Sequence, residues 1–350
     1  MDFVSAEMKA AYLYQAVNFF VALATMFLLL RFLSVDEYVL WSVFVTFIGI
    51  TVQLESAVQI VSVREIARQY HGNSIAQLKR SISKGRVAYL FLSLFVAFIV
   101  ALSGVLYISV IAEIAEISEY LLEWLLLLLA YTINYYFGIN NSILLATKRI
   151  SFFNYTISVT RVLNLTLVIL FLKYGYSILG LAVSLNISVI AGCAIIAYKA
   201  KSILEGVYSE KNIVCESDIE QKEIASGRNF ILFTIYTLCA FLLYKGGVLL
   251  VAGHFEKTIV ASYALSIQIF TLLTTVSLVP IQIWLSDLVK AINKNDTDAV
   301  LHELAKTFLI VNALFASGTF GLLVLGDVFF SMINTNIGLP DKLTLFTLSC

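Results

Sequence analysis

The chain has 350 residues, 60% of them apolar and 13% charged, with a mean hydropathy of +0.91. Soluble domains carry about 25% charged residues, so this composition excludes an ordinary soluble globular protein. The formal net charge is zero, which leaves no electrostatic footprint for nucleic acid.

The first apolar run, residues 10–33, is too long for the core of a secretory leader and lacks a small-residue cleavage site, so it reads as an uncleaved helix. Arg31 near its end is within reach of Asp36 or Glu37 in the acidic turn that follows, and reads as an interfacial anchor. The second run, residues 38–63, is long enough to cross a bilayer, which takes roughly 20 apolar residues. It carries Glu55 nine residues before the basic end at Arg64. At about 1.5 Å per residue the carboxylate lies roughly 13 Å below the surface, where a charge costs on the order of 2.5–3.5 kcal/mol. Thr51, Glu55, Gln59 and Ser62 share one helical face, which is expected to look into protein or a wet cavity.

A basic loop with Arg64, Arg68, Lys79, Arg80, Lys84 and Arg86 precedes a third helix, predicted over residues 87–111. An acidic loop follows, and a fourth helix over 121–146 ends at the basic turn Lys148–Arg149. It presents Tyr131, Asn134, Tyr135, Gly138, Asn141 and Ser142 on one side, as the first helix presents Gln15, Asn18 and Thr25. The fifth helix, 152–172, carries Arg161 about ten residues in, on the face of Asn154 and Ser158. The sixth covers 178–198. Beyond it, residues 199–229 mix Lys and Arg with six acids and read as a linker. A seventh helix over 230–253 holds Lys245 deep in the span, followed by Gly246 and Gly247. An eighth covers 258–284, with Pro280 predicted to kink it, and a ninth 308–326. A tenth run starts at Leu343 and is short of a span at Cys350.

The fold class is therefore all-α, a polytopic membrane helix bundle with nine full helices and the start of a tenth. A six-helix N-terminal bundle is expected over residues 1–198, a cytoplasmic linker over 199–229, and a C-terminal bundle, expected to be incomplete, over 230–350. Alternate loops hold six, two, five and three Lys or Arg, and the loops between them none or one. The positive-inside rule puts the basic set and the N-terminus in the cytoplasm. The outer loops are short, leaving no room there for a catalytic domain. His71, His254 and His302 lie in loops or at helix ends, and no metal cluster, phosphate-binding glycine loop or catalytic triad pattern is present in the sequence. Neither an enzyme nor a cofactor is expected.

Intramembrane charge marks a functional pathway by default. Glu55 is the candidate for a coupling ion, and Arg161, Lys245, Asn134 and Asn18 for substrate binding. The bland alternative is a buried ion pair or triad of Glu55, Arg161 and Lys245 that only fixes packing.

The turn and helix RFLSVDEYVLWSVF, the basic loop after it, the TKR turn and the stretch YALSIQIFTLLTTVSLVPIQIW resemble bacterial polysaccharide flippases of the O-antigen type. These are members of the multidrug/oligosaccharidyl-lipid/polysaccharide exporter superfamily, and the resemblance runs over about residues 10–350. It implies movement of a polyprenyl-pyrophosphate-linked oligosaccharide from the inner to the outer leaflet of the bacterial plasma (inner) membrane, by alternating access, for O-antigen or capsule synthesis. Membrane lipids and polysaccharide polymerase machinery would be partners. The deep charges of Glu55, Arg161 and Lys245 sum to plus one, which suits an anionic head group. The alternatives are a cation-coupled multidrug antiporter of the same superfamily, and a membrane glycosyltransferase or repeat-unit polymerase.

Overall fold

The computed structural model describes residues 2–71, 75–107, 117–210, 235–236, 238–243, 245–278 and 297–333. The expected linker beyond residue 210, the kink at Pro280 and the tenth apolar run lie outside them. The main helices are α1 (Asp2–Phe32), α2 (Val35–His71), α3 (Ile75–Phe95), α4 (Ala101–Leu106), α5 (Ile117–Tyr136), α6 (Gly138–Ala146), α7 (Ile150–Lys173), α8 (Ser177–Glu210), α9 (Gly246–Ala252), α10 (Lys257–Ser277) and α11 (Thr297–Ile333). Among the described residues, eight helical stretches are long and apolar enough to span a membrane. Large apolar side chains such as Phe91 (69% exposed), Phe98 (68%) and Val159 (62%) cover their outer faces. Soluble monomers rarely expose apolar surface so continuously. The chain is an all-α, multi-pass membrane bundle.

Several helices are longer than the apolar runs that signal them. The basic segment expected as a loop is helical apart from residues 72–74, which are outside the described residues: Arg64–His71 finish α2, and α3 starts at Ile75. The expected linker likewise begins as helix, since α8 runs through Glu210. Hydropathy marks where a helix leaves the lipid, not where its backbone hydrogen bonding stops, and Lys, Arg, Gln and Glu are good helix formers.

Two predicted helices are interrupted. α5 and α6 are separated at Phe137, and the seventh predicted helix is broken at Lys245, which sits in a turn before α9. Gly246 and Gly247, weak helix formers, follow that break. A π-helical segment, Val96–Val100, joins α3 to α4. The carbonyl of Ala101 just beyond it accepts the Trp124 indole N–H at 3.3 Å.

The turn before α2 is a capping box. Ser34 Oγ accepts the Glu37 N–H at 3.3 Å, and Glu37 Oε2 accepts the Ser34 N–H at 2.9 Å. Asp36 pairs with Lys257 at 3.0 Å, and the Arg31 guanidinium lies 5.8 Å from the Phe32 ring. The turn after α7 is closed by Gly175 at φ +83°, with Gly175 N–H donating to Leu172 and Tyr176 N–H to Phe171. The Phe171 and Tyr176 rings meet edge to face at 6.0 Å across it. This is the hydrogen-bond and apolar pattern of a left-handed helix C-cap.

The described residues fall into two compact units, one drawn from Met1–Val21 and Val39–His254, the other from Ala22–Tyr38 and Phe255–Cys350. In the first, α7 packs on α8, α8 on α5 and α6, and α3 on α5 and α6. It buries Trp124 completely, the ring lying 4.8 Å from that of Phe44, and Tyr89 on α3 and Tyr135 on α5 are fully buried as well. Residues 238–252, expected in the C-terminal bundle, group with this unit. Phe241 is buried against the backbone of Gly49, and the Tyr107 hydroxyl donates to the Leu249 carbonyl. In the second unit α10 packs on α11, with the Phe270 and Phe315 rings 6.4 Å apart. The end of α1 and the start of α2 group here, because the Tyr38 hydroxyl donates to Gln268 at 3.1 Å and Asp36 meets Lys257.

Candidate functional site

All five candidate residues lie in the first unit. The polar stripe of α2 faces into it. Thr51 is fully buried and donates to the Ile48 carbonyl at 2.7 Å, which leaves its oxygen to accept the Tyr135 hydroxyl, also at 2.7 Å. Ser62, two turns and more along the same helix, is buried beside Gly85 of α3. Glu55 lies between them, half-buried. Its carboxylate is within electrostatic reach of three hydroxyls, those of Tyr89, Tyr131 and Tyr135.

The tyrosines are held in place by their own partners. Tyr89 on α3 is fully buried and shares a 2.9 Å hydrogen bond with Ser142 on α6. Tyr131 and Tyr135 are one turn apart on α5 with ring centroids 6.1 Å apart. The break between α5 and α6 serves this arrangement. Gly138, the first residue of α6, packs directly on the Tyr89 ring, and a Cβ there would collide with it. Ser93 on α3 also donates to the Thr132 carbonyl of α5 at 3.1 Å.

Arg161 is exposed on α7 rather than sunk among Asn154 and Ser158, both of which are buried. Its guanidinium is nevertheless within electrostatic reach of Tyr131, so that tyrosine stands in the fields of both Arg161 and Glu55. Asn134 is half-buried on α5, between Tyr131 and Tyr135 in sequence. Asn18 is half-buried on α1, and Lys245 half-buried at the N-terminal end of α9. Glu55, Arg161 and Lys245 form no ion pair with one another, so the packing triad weighed from the sequence is not made. The structure thus gathers Glu55, Arg161 and Tyr131 in one neighbourhood; among the described residues no hydrogen bond or ion pair ties Asn18 or Lys245 to it.

Tyr89 is the participant that the sequence reading left out. The available signal was Arg86, Tyr89 and Ser93 at helical spacing on one face, hidden by the strong apolarity of the run around it. A carboxylate within electrostatic reach of tyrosine hydroxyls can hold a cation by charge, and it can exchange a proton or metal cation if the surrounding helices change its access to water. Among the described residues no group of three or more His, Cys, Asp or Glu could hold a metal ion.

No protein-family model matches the sequence, and no curated protein does. The fold is shared with a solved structure, the inward-facing conformation of a multidrug-resistance MATE-family transporter of the MOP superfamily. The two agree at a TM-score of 0.62 with 12% identity, over 94% of this chain and 76% of that one. At that identity the likeness is one of fold.

Proposed function

We propose that this chain is a secondary transporter that works by alternating access, with the carboxylate of Glu55, in electrostatic reach of three tyrosines, as its cation site. The observation that carries it is Glu55 itself, half-buried within a membrane-length helix, without a pairing cation among the described residues and in electrostatic reach of Tyr89, Tyr131 and Tyr135. The shared fold of a MATE-family transporter supports the same reading. The orientation set by loop charge, with the N-terminus in the cytoplasm of a bacterial inner membrane, goes with it.

Of the substrate classes, an organic cation exchanged against a coupling ion is better supported. An unpaired carboxylate attracts an organic cation by charge, and the structure sharing this fold is a multidrug-resistance transporter. The second reading is a polyprenyl-pyrophosphate-linked oligosaccharide flipped for surface polysaccharide synthesis. It is favoured by the exposed Arg161 beside Tyr131, since a guanidinium binds phosphate oxygens in a bidentate way. Asn134, Asn18 and Lys245 would then contribute polar contacts.

The test is transport in proteoliposomes under an imposed proton or sodium gradient, with a fluorescent organic cation as one substrate and a lipid-linked oligosaccharide as the other. Gradient-driven movement should be lost in Glu55→Gln at normal insertion. Equal gradient response in both forms would remove Glu55 from the mechanism. Loss of oligosaccharide movement in Arg161→Ala, with no organic-cation transport in the parent protein, would replace the first substrate reading by the second.

A further inference from the structure

At the basic end of the first unit the structure contains a hollow of about 460 Å³ whose lining does not include Glu55 and which the transport reading does not use. Lys79, Ile82, Ser83 and Arg86 line it from α3, and Lys201, Leu204, Glu205 and Tyr208 from α8. Both sets follow the spacing i, i+3, i+4, i+7, so each is one face of its helix. Asn140 of α6 completes the lining. These faces exist because α3 and α8 continue as helices beyond the apolar runs, through segments the sequence presents as a loop and a linker.

The lining is selective in charge. It holds three cations against one carboxylate, and that carboxylate, Glu205, meets Lys201 only at 3.8 Å with both side chains largely exposed. Such a pair is weak and easily exchanged for another anion. Lys79 Nζ stands 4.7 Å from the Tyr208 ring centroid, which positions the ammonium at the hollow without neutralising it. Arg86 is exposed and within electrostatic reach of the Tyr208 hydroxyl. Ser83, Asn140 and Tyr208 add neutral hydrogen-bonding groups beside the cations. Leu204 and Ile82 give the same hollow apolar walls. Basic pockets between membrane helices at the charged end of the spans are where lipid head groups bind.

We propose that this hollow is a binding site for the phosphate head group of a membrane lipid, with Lys79, Arg86 and Lys201 as the phosphate-binding cations. A phosphate drawn between α3 and α8 bridges the ends of two helices that both pack on α6, and so fixes the basic end of the unit. The site does not depend on the substrate of the transporter.

The experiment uses the full chain in detergent, titrated with phosphatidylglycerol, phosphatidylcholine, a long-chain polyprenyl pyrophosphate and inorganic pyrophosphate, and read by native mass spectrometry and thermal shift. Each surface cation contributes about fivefold to anionic-lipid affinity. Arg86→Ala should therefore weaken phosphatidylglycerol binding roughly fivefold and the Lys79→Gln, Arg86→Ala, Lys201→Gln triple variant about 100-fold. Lys173→Gln, at the opposite end of α7, should leave binding unchanged. Retained binding by the single variants Lys79→Gln and Lys201→Gln as well as by Arg86→Ala would overturn the site, even if the triple variant fails to fold. Tighter binding of the polyprenyl pyrophosphate than of phosphatidylglycerol, lost in the same variants, would make the hollow a substrate site and overturn its assignment as a separate lipid site. Inorganic pyrophosphate binding as tightly as either lipid would overturn the lipid assignment.

Discussion

Gly138→Ala tests the packing that fixes the tyrosine site. The added Cβ would fall on the Tyr89 ring. That ring has nowhere to retreat, because it is fully buried and its hydroxyl is tied to Ser142 at 2.9 Å. Forcing extra volume into a packed interior costs about 1–3 kcal/mol, and loss of the Tyr89–Ser142 hydrogen bond adds about 1 kcal/mol. The substitution also gains helix propensity, at most about 1 kcal/mol, and less at the first position of a helix. Destabilisation wins by roughly 1–3 kcal/mol. With about 2–4 °C per kcal/mol for a domain of some 200 residues, thermal unfolding of the purified protein in detergent should fall by roughly 2–12 °C. A second arm isolates the cause. Tyr89→Phe should cost about 1 kcal/mol in the parent protein and close to nothing in the Gly138→Ala background, where the hydrogen bond is already broken. A Gly138→Ala variant as stable as the parent, or equal costs of Tyr89→Phe in both backgrounds, would refute the reasoning.

Gly175→Ala isolates a conformational term, since nothing lies within 4 Å of the added Cβ while φ stays at +83°. It should lower stability by about 1–2 kcal/mol, a fall of roughly 2–8 °C in thermal unfolding, with transport unchanged. The orientation predicts that, in a background with Cys193, Cys215, Cys239 and Cys350 replaced, Ser83→Cys is shielded from an impermeant thiol reagent in intact cells while Tyr174→Cys is labelled; the reverse pattern would invert the topology.

The sequence by itself determined the class of the protein. Helix-length apolar runs with few charges can satisfy their backbone in lipid only as helices, so the all-α membrane bundle follows from composition alone. The inward face of Thr51 and Ser62 was likewise legible, because a polar side chain in a span is too costly to leave against lipid. The tertiary structure decided what depends on which helices meet. Arg161 has the same depth signature as Glu55, yet it is exposed on α7, since a residue's fate is set by the neighbours that cover its face and not by its position along the run. Hydropathy placed Lys245 inside a continuous span and in the other bundle, whereas a turn and the contacts of Phe241 and Tyr107 put it with the first unit. Tyr89 became part of the site only when α6 brought Ser142 and Gly138 to it. Contacts between residues 53 positions apart, such as Tyr89 and Ser142, leave no periodicity in one sequence, because each helix's pattern records that a face is buried and not which partner buries it.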